Sequence, residues 1–252
     1  MLWTWTSVPR WMVTFMGSRL AGWPPYPHSH SSERRRAEGI DIRLYNANFS
    51  PNALRVRAAA FELRIDLEII EVDIRKGDNR AGEFLRRNPN AKVPVLEDGD
   101  FALWESRAIC SYLASLNPDA GLVPSYPRAR ALMDQWAWWQ AIHLGPAMQK
   151  LSFEVFLKEK FGMGDADPAV VEAERKAADQ FLDVLEQGLT GKSWIVGDLS
   201  LADFYLATTF MYRRQTAIAL DARPAVAAWI ARLEARESWQ KAMAPLNALF
   251  GL

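Results

Sequence analysis

The sequence holds a single cysteine, Cys110, and three histidines, His28, His30 and His143, among 252 residues. One thiol closes no internal disulfide, and so few soft ligands, two of them in a polar stretch, build no zinc cluster. Surplus charge is absent too, with Lys plus Arg and Asp plus Glu at 30 each. A balanced chain carries no broad field to draw nucleic acid, which is therefore not an expected partner. No uninterrupted apolar run is long enough for a transmembrane helix. These shortages lead to the expectation of a metal-free cytoplasmic protein. The 50% of residues that are hydrophobic suffice for one large or two ordinary domains.

Residues 1–39 differ in character from the rest of the chain. They hold Trp3, Trp5, Trp11 and Trp23, then a Pro/Ser/His segment and an Arg run, without sustained periodicity. Pro9 and Arg10 interrupt the apolar run, which fits neither a secretory signal nor a membrane span. The expectation is a disordered extension outside the folded domain. From residue 40 the pattern is regular. Alternation of Ile40, Ile42 and Leu44 predicts a strand over 40–46, and 51–63 reads as a helix. With a second strand at 67–74, this is the size of a right-handed crossover unit with parallel strands. A short helix over 81–88 comes next. Two apolar runs in 92–104, joined by Asp98-Gly99, predict an antiparallel hairpin, and 106–116 a further helix. After the proline-rich 117–129 the strand signals stop, and helices are predicted over 128–160, 168–189, 200–214 and 224–244. Ser200 and Asp203 form a capping-box signature, with Leu199 and Phe204 at the positions of a hydrophobic staple. The fold class is α/β followed by all-α, with domains at 40–117 and 128–252 and a linker at 118–127.

The stretch 49-FSPNALRV-56 poses the functional question. Ser50 followed by Pro51 is a helix-start signal, the serine as cap and the proline at the first helical position. The same hydroxyl, at a helix mouth just after a strand, also suits a ligand's anion. The roles are compatible: the oxygen accepts from a backbone amide while the hydrogen remains to be donated. Ser106, with Glu105 before it, opens another helix. There a carboxylate would meet the hydroxyl and free N–H groups while Glu105 takes a neighbouring ammonium, the recognition pattern of an amino-acid zwitterion. Each element taken alone is also an ordinary cap or surface charge.

Together, 49-FSPNALRV-56, 88-NPNAKVPVLEDG-99 and 103-LWESRAI-109, set in a βαβ, helix, ββα order before a helical domain, resemble the cytosolic glutathione S-transferase family from about Ile42 onward. Among its branches the chain looks most like the serine-type theta, phi and related bacterial groups. The run 128-RARALMDQWAWWQ-140 is similar to the first theta C-terminal helix. The resemblance implies a thioredoxin-like first domain and an enzyme that activates glutathione, its co-substrate, as a thiolate for conjugation to small, largely apolar electrophiles, a detoxification chemistry. Ser50 is then the thiolate donor, with Asn52 as rival. Val93-Pro94 would be a cis bond that turns the Val93 backbone toward the cysteinyl part of the tripeptide. Lys92 and Arg80 would meet the glycine carboxylate, and Glu105 and Ser106 the γ-glutamyl end. Phe49, Trp136, Trp139 and His143 are candidates for the electrophile site, the last three at helical spacing, which also describes a core stripe. Asp134, with Arg107, resembles residues that reach across to a partner, implying a homodimer. Without a cysteine near Ser50, thiol-exchange branches fit less well, and Cys110 reads as a small buried apolar residue. Glutathione-dependent peroxide or disulfide reduction, and a non-enzymatic binding module, are the alternatives on this fold.

Overall fold

The computed structural model describes residues 42–251, so the expectations for residues 1–39 lie outside the described residues. Strand β1 (Ile42–Asn46) leads into α1 (Pro51–Glu62), β2 (Glu68–Glu71), a short 3-10 turn at Asp78–Arg80, α2 (Gly82–Arg87), β3 (Val95–Asp98), β4 (Phe101–Trp104) and α3 (Ser106–Leu116). The sheet order is β2-β1-β3-β4. β1 and β2 are parallel, and the other two pairings are antiparallel. The succession βαβ, helix, ββα is the one the sequence pattern predicts, and the thioredoxin-like domain is the one the resemblance implies. The hairpin turn lies one residue later than expected. Asp98 is still paired, with Phe101, and Gly99 bends the chain at a φ of 64°.

The rest of the described chain carries no strand longer than isolated bridges. A continuous helical rod contains α4 (Pro127–Trp139), α5 (Gly145–Ser152) and α6 (Lys158–Lys160). Its backbone widens into π-type turns at Gln140–Leu144 and Phe153–Leu157. Then come α7 (Pro168–Leu189), α8 (Leu201–Ala207), α9 (Pro224–Glu234) and α10 (Glu237–Phe250). Two expected helices come out differently. The helix expected over 200–214 ends at Ala207, where the hydroxyls of Thr208 and Thr209 donate back to the carbonyls of Tyr205 (3.0 Å) and Leu206 (2.5 Å) and the chain tightens. The expected 224–244 helix is two, because Arg236 adopts extended backbone (ψ 137°) and donates to Glu62. The second of them continues past Pro245.

Helix α1 is the keystone. Residues Ala53 to Ala60 are all buried, because the helix is covered by the sheet on one side and by α3, α8 and α10 on others. One core cluster runs through it from Leu44 and Leu96 in the sheet to Leu206, Trp229 and Leu246 in the helical domain. The two domains therefore share their main core, while Tyr45, Val72, Phe84, Val93 and Val95 form a smaller one elsewhere. A salt bridge reinforces the junction. Glu62 accepts from Arg236 Nε at 3.0 Å and from the Ser238 hydroxyl at 2.5 Å. Burial raises its pKa, but those donors outweigh burial and hold the carboxyl below its usual range.

The helical domain is organised by the capping residue Asp203. Its carboxylate is fully buried and accepts from Ser200 N–H (2.9 Å), the Ser200 hydroxyl (3.1 Å), Ile195 N–H (3.0 Å) and Trp229 Nε1–H (2.9 Å). The capping box that the sequence pattern predicts is present, and the Ser200 hydroxyl in addition donates to the carboxylate. Asp203→Ala strands these buried donors, and urea unfolding is expected to show a loss of about 4 kcal/mol. A loss under about 1 kcal/mol would mean that water replaces the carboxylate.

Candidate active site

A cleft of about 540 Å³ lies between the domains, lined by Phe49, Ser50, Asn52, Lys92, Val93, Glu105 and Ser106 on one side. The rod and the segment after α8 form the other side, with Gln140, Pro146, Phe153, Thr208 and Tyr212 among the lining residues. The residues singled out around the two serines therefore converge. Ser50 is 9% exposed, and its oxygen caps α1, accepting from Ala53 N–H at 3.3 Å. Its own proton remains available to a ligand. Asn52 gives its side-chain oxygen to Arg55 at 2.7 Å, so its amide N–H groups are what it has to compete with Ser50. The Val93-Pro94 bond is cis. Glu105 holds a φ of 73°, a conformation that costs a non-glycine residue about 1 kcal/mol or more. That turn sets the exposed Glu105 beside the buried first residue of α3, Ser106.

The sequence reading passed over Arg55, although it is the most connected group in the cleft. It donates to Ser106 Oγ at 2.6 Å, Asn52 Oδ1 at 2.7 Å and Thr208 Oγ1 at 3.2 Å. Burial pushes its pKa down to about 9, so it stays charged at neutral pH. Arg107 lies beside it, and both guanidiniums face the ring of Tyr205, at 5.7 and 5.5 Å from its centroid. Among the described residues neither arginine is ion-paired with a carboxylate within 4.0 Å, and the Nε of each is buried without a partner. One buried and one half-buried cation around a helix N-terminus make a site that asks for an anion.

Arg107, expected at a subunit boundary, lines the cleft and donates to Gln140. Gln140 opens the first π-type turn, where Gly145 N–H bonds the Gln140 carbonyl. A Cβ at Gly145 would come within 2.6 Å of that carbonyl oxygen and 2.7 Å of the Gln140 amide nitrogen. Glycine is what lets the rod widen there. Asn79 was also missed. It donates to Ala91 C=O at 2.7 Å, and its side-chain oxygen is buried without a partner on the cleft wall near Lys92. A ligand N–H would satisfy it.

Five residues expected in the site, Arg80, Pro94, Trp136, Trp139 and His143, are not among those lining the cleft. Arg80 is exposed next to Asn79, because the 3-10 turn directs its neighbour inward. Trp136 is buried against α7, its ring so close to Gly188 that a Cβ there would meet it at 2.5 Å. Trp139 and His143 join it in an aromatic cluster with Phe181, at centroid distances of 6.1 and 5.5 Å from that ring. Their helical spacing thus describes packing between helices. Phe49 does line the cleft and meets Phe161 edge-on at 5.0 Å. Asp134 is exposed on α4, paired with Arg130 at 3.8 Å. Cys110 is fully buried, and burial pushes its thiol up to about 12, so it supplies no nucleophile.

The glutathione S-transferase N-terminal domain model matches residues 40–115, and the C-terminal domain model matches 145–237. A glutathione S-transferase of Hyoscyamus muticus is 36% identical over 209 residues, 81% of this chain and 98% of its own. The structure of glutathione S-transferase-I bound with lactoylglutathione is similar at a TM-score of 0.76 and 34% identity, over 81% of this chain and 99% of its own. Glutathione S-transferase I from mais in complex with an atrazine glutathione conjugate gives a TM-score of 0.75 and 34% identity, over 81% and 97% of the two chains. The curated relatives it resembles include plant enzymes, several designated F, which bears out the phi part of the expected placement and corrects the bacterial, theta-like part. An amphipathic first helix in the second domain follows from packing, so the 128–140 run does not separate branches.

Arg55→Met removes a buried charge that has no carboxylate partner, together with its hydrogen bonds to Ser106 and Asn52. Calorimetric titration is expected to show glutathione affinity falling about tenfold or more, while urea unfolding stays within about 2 kcal/mol of wild type. Unchanged affinity would make Arg55 a scaffold element only.

Proposed function

The chain belongs to the glutathione S-transferase family and is a glutathione transferase, and we propose that it works by holding the tripeptide across the two helix N-termini with Ser50 at the sulfur. The observation that carries this reading is the convergence, in one cleft, of a capping serine with a free proton and a second helix start backed by unpaired guanidiniums. The γ-glutamyl carboxylate meets the Ser106 hydroxyl and the α3 N-terminus, and its ammonium meets Glu105. The Val93 backbone takes the cysteinyl residue, and Lys92 and Asn79 take the glycyl end. A free thiol of pKa about 8.5 is only a few per cent ionised at pH 7. Donation from Ser50, added to the positive end of α1, lowers it, and a fall of two units is worth roughly 2.7 kcal/mol. The thiol proton leaves to solvent. The sulfur lone pair then forms a C–S bond to the electrophilic carbon, and the leaving group departs with its electron pair.

The electrophile lies against the apolar half of the cleft, between Phe49, Pro146, Phe153, Leu157 and Phe161. The second π-type turn contributes Phe153 and Leu157 to that wall, which fits the enrichment of such turns at functional sites. A reductase reading draws on the same thiolate, but no cysteine lines the cleft to form a protein mixed disulfide. A second copy of the chain suits the exposed face of the rod, where Trp138 (63%) stands one turn from Asp134 and Ile142 (63%) one turn further. A homodimer built there would bring Asp134 toward the partner's cleft. Among the described residues no helix is long and apolar enough to cross a membrane. A cytoplasmic location is in keeping with the unpaired Cys110.

Ser50→Ala tests the mechanism. Its kcat/KM toward an aryl halide is expected to fall about 100-fold or more, with glutathione affinity kept within a few-fold, since the lost bond acts on the thiolate. Retained activity that disappears only in Asn52→Ala would transfer the donor role to Asn52.

A further inference from the structure

The Ser50 turn is held from several directions. Asn48 N–H donates to Glu71 Oε1 at 2.9 Å, and the Asn46 amide to Glu71 Oε2 at 2.5 Å, both within the first domain. From the helical domain, 163 residues away in sequence, the Tyr212 hydroxyl donates to the Phe49 carbonyl at 2.8 Å. On the other end of that same peptide group, Ser50 N–H donates to the Ala47 carbonyl at 2.9 Å. The Phe49–Ser50 peptide is thus tethered at both its oxygen and its hydrogen. Because the group is planar, tethering both ends fixes its orientation, and with it the direction in which Ser50 projects its side chain.

We propose that Tyr212 is a positioning residue for Ser50: through the Phe49 carbonyl it holds the serine hydroxyl in line with the sulfur. This rests on the thiolate mechanism above. The tyrosine is well built for the task. It is 3% exposed, and its ring is braced by Phe156 at 5.3 Å and Phe250 at 6.4 Å. Burial raises its pKa, opposed by the charge of Arg57, so the hydroxyl keeps its proton over the working pH range. Tyr212 also lines the cleft, so the wall that meets the electrophile and the serine that meets the thiol share one rigid part. Tyr212 lies five residues beyond the C-terminus of α8, and nothing in the local pattern reveals its role.

Tyr212→Phe keeps the ring and its packing and removes one hydroxyl. The thiolate absorbance of bound glutathione is titrated in wild type and variant, alongside kcat at pH 6.5, glutathione affinity and the urea midpoint. The expected result is a lowered thiol pKa in wild type that rises by about one unit in the variant. The variant's kcat should fall about fivefold at pH 6.5, with glutathione affinity within about twofold. If the wild-type pKa is lowered and the variant's is the same, Tyr212 does not position Ser50, whatever happens to the urea midpoint, and the thiolate mechanism stands. If the wild type shows no lowered pKa, both ideas fall together.

Discussion

A guanidinium buried without a carboxylate is an expensive thing to build, and Arg55 is one. Its charge is offset by three neutral acceptors and the face of Tyr205. Those contacts join the first turn of α1, the start of α3 and the segment after α8. One side chain therefore sets the distance between the two serines and ties them to the helical domain. The imbalance that remains, in Arg55 and Arg107 alike, is what the proposed binding of an anionic tripeptide draws on. Stability given up in this way is a common cost of a binding site.

The helical domain does more than roof the cleft. Gly145 permits the rod to widen, the widened turn presents Gln140, and Gln140 receives Arg107. Thr208 and Tyr212, one turn apart, reach the first domain at Arg55 and at Phe49. Closing the hydrophobic core over α1 brings these groups into register, so folding of the junction and assembly of the site are one event. The Asp203 network, which positions α8 and α9 relative to each other, supports that junction from behind.

Much of this was legible in the sequence because it depends on local rules. Strand alternation, the Ser-Pro start, the Asp-Gly turn and the capping box each act over a few residues, and each led to the right element. Ser50, Glu105 and Ser106, which line the cleft, were singled out because helix starts advertise themselves. Arg55, Asn79, Gln140 and Tyr212 escaped because their meaning lies in contacts across the fold: an arginine in a helix reads as solvated until its neighbours are known to be buried. Trp136, Trp139 and His143 show the converse. Their spacing marks one helix face, but whether that face meets a ligand or α7 is decided by helix packing, which periodicity does not encode.

Proton release on glutathione binding is the most direct test of thiolate capture. Calorimetric titrations at pH 7.5 in two buffers of different ionisation enthalpy measure it without any electrophile. If the bound thiol falls two units from its free pKa of about 8.5, about 0.8 proton is released per site. Binding without net proton release would mean that glutathione is held as the thiol, and would contradict the roles given to Ser50 and the helix N-terminus behind it.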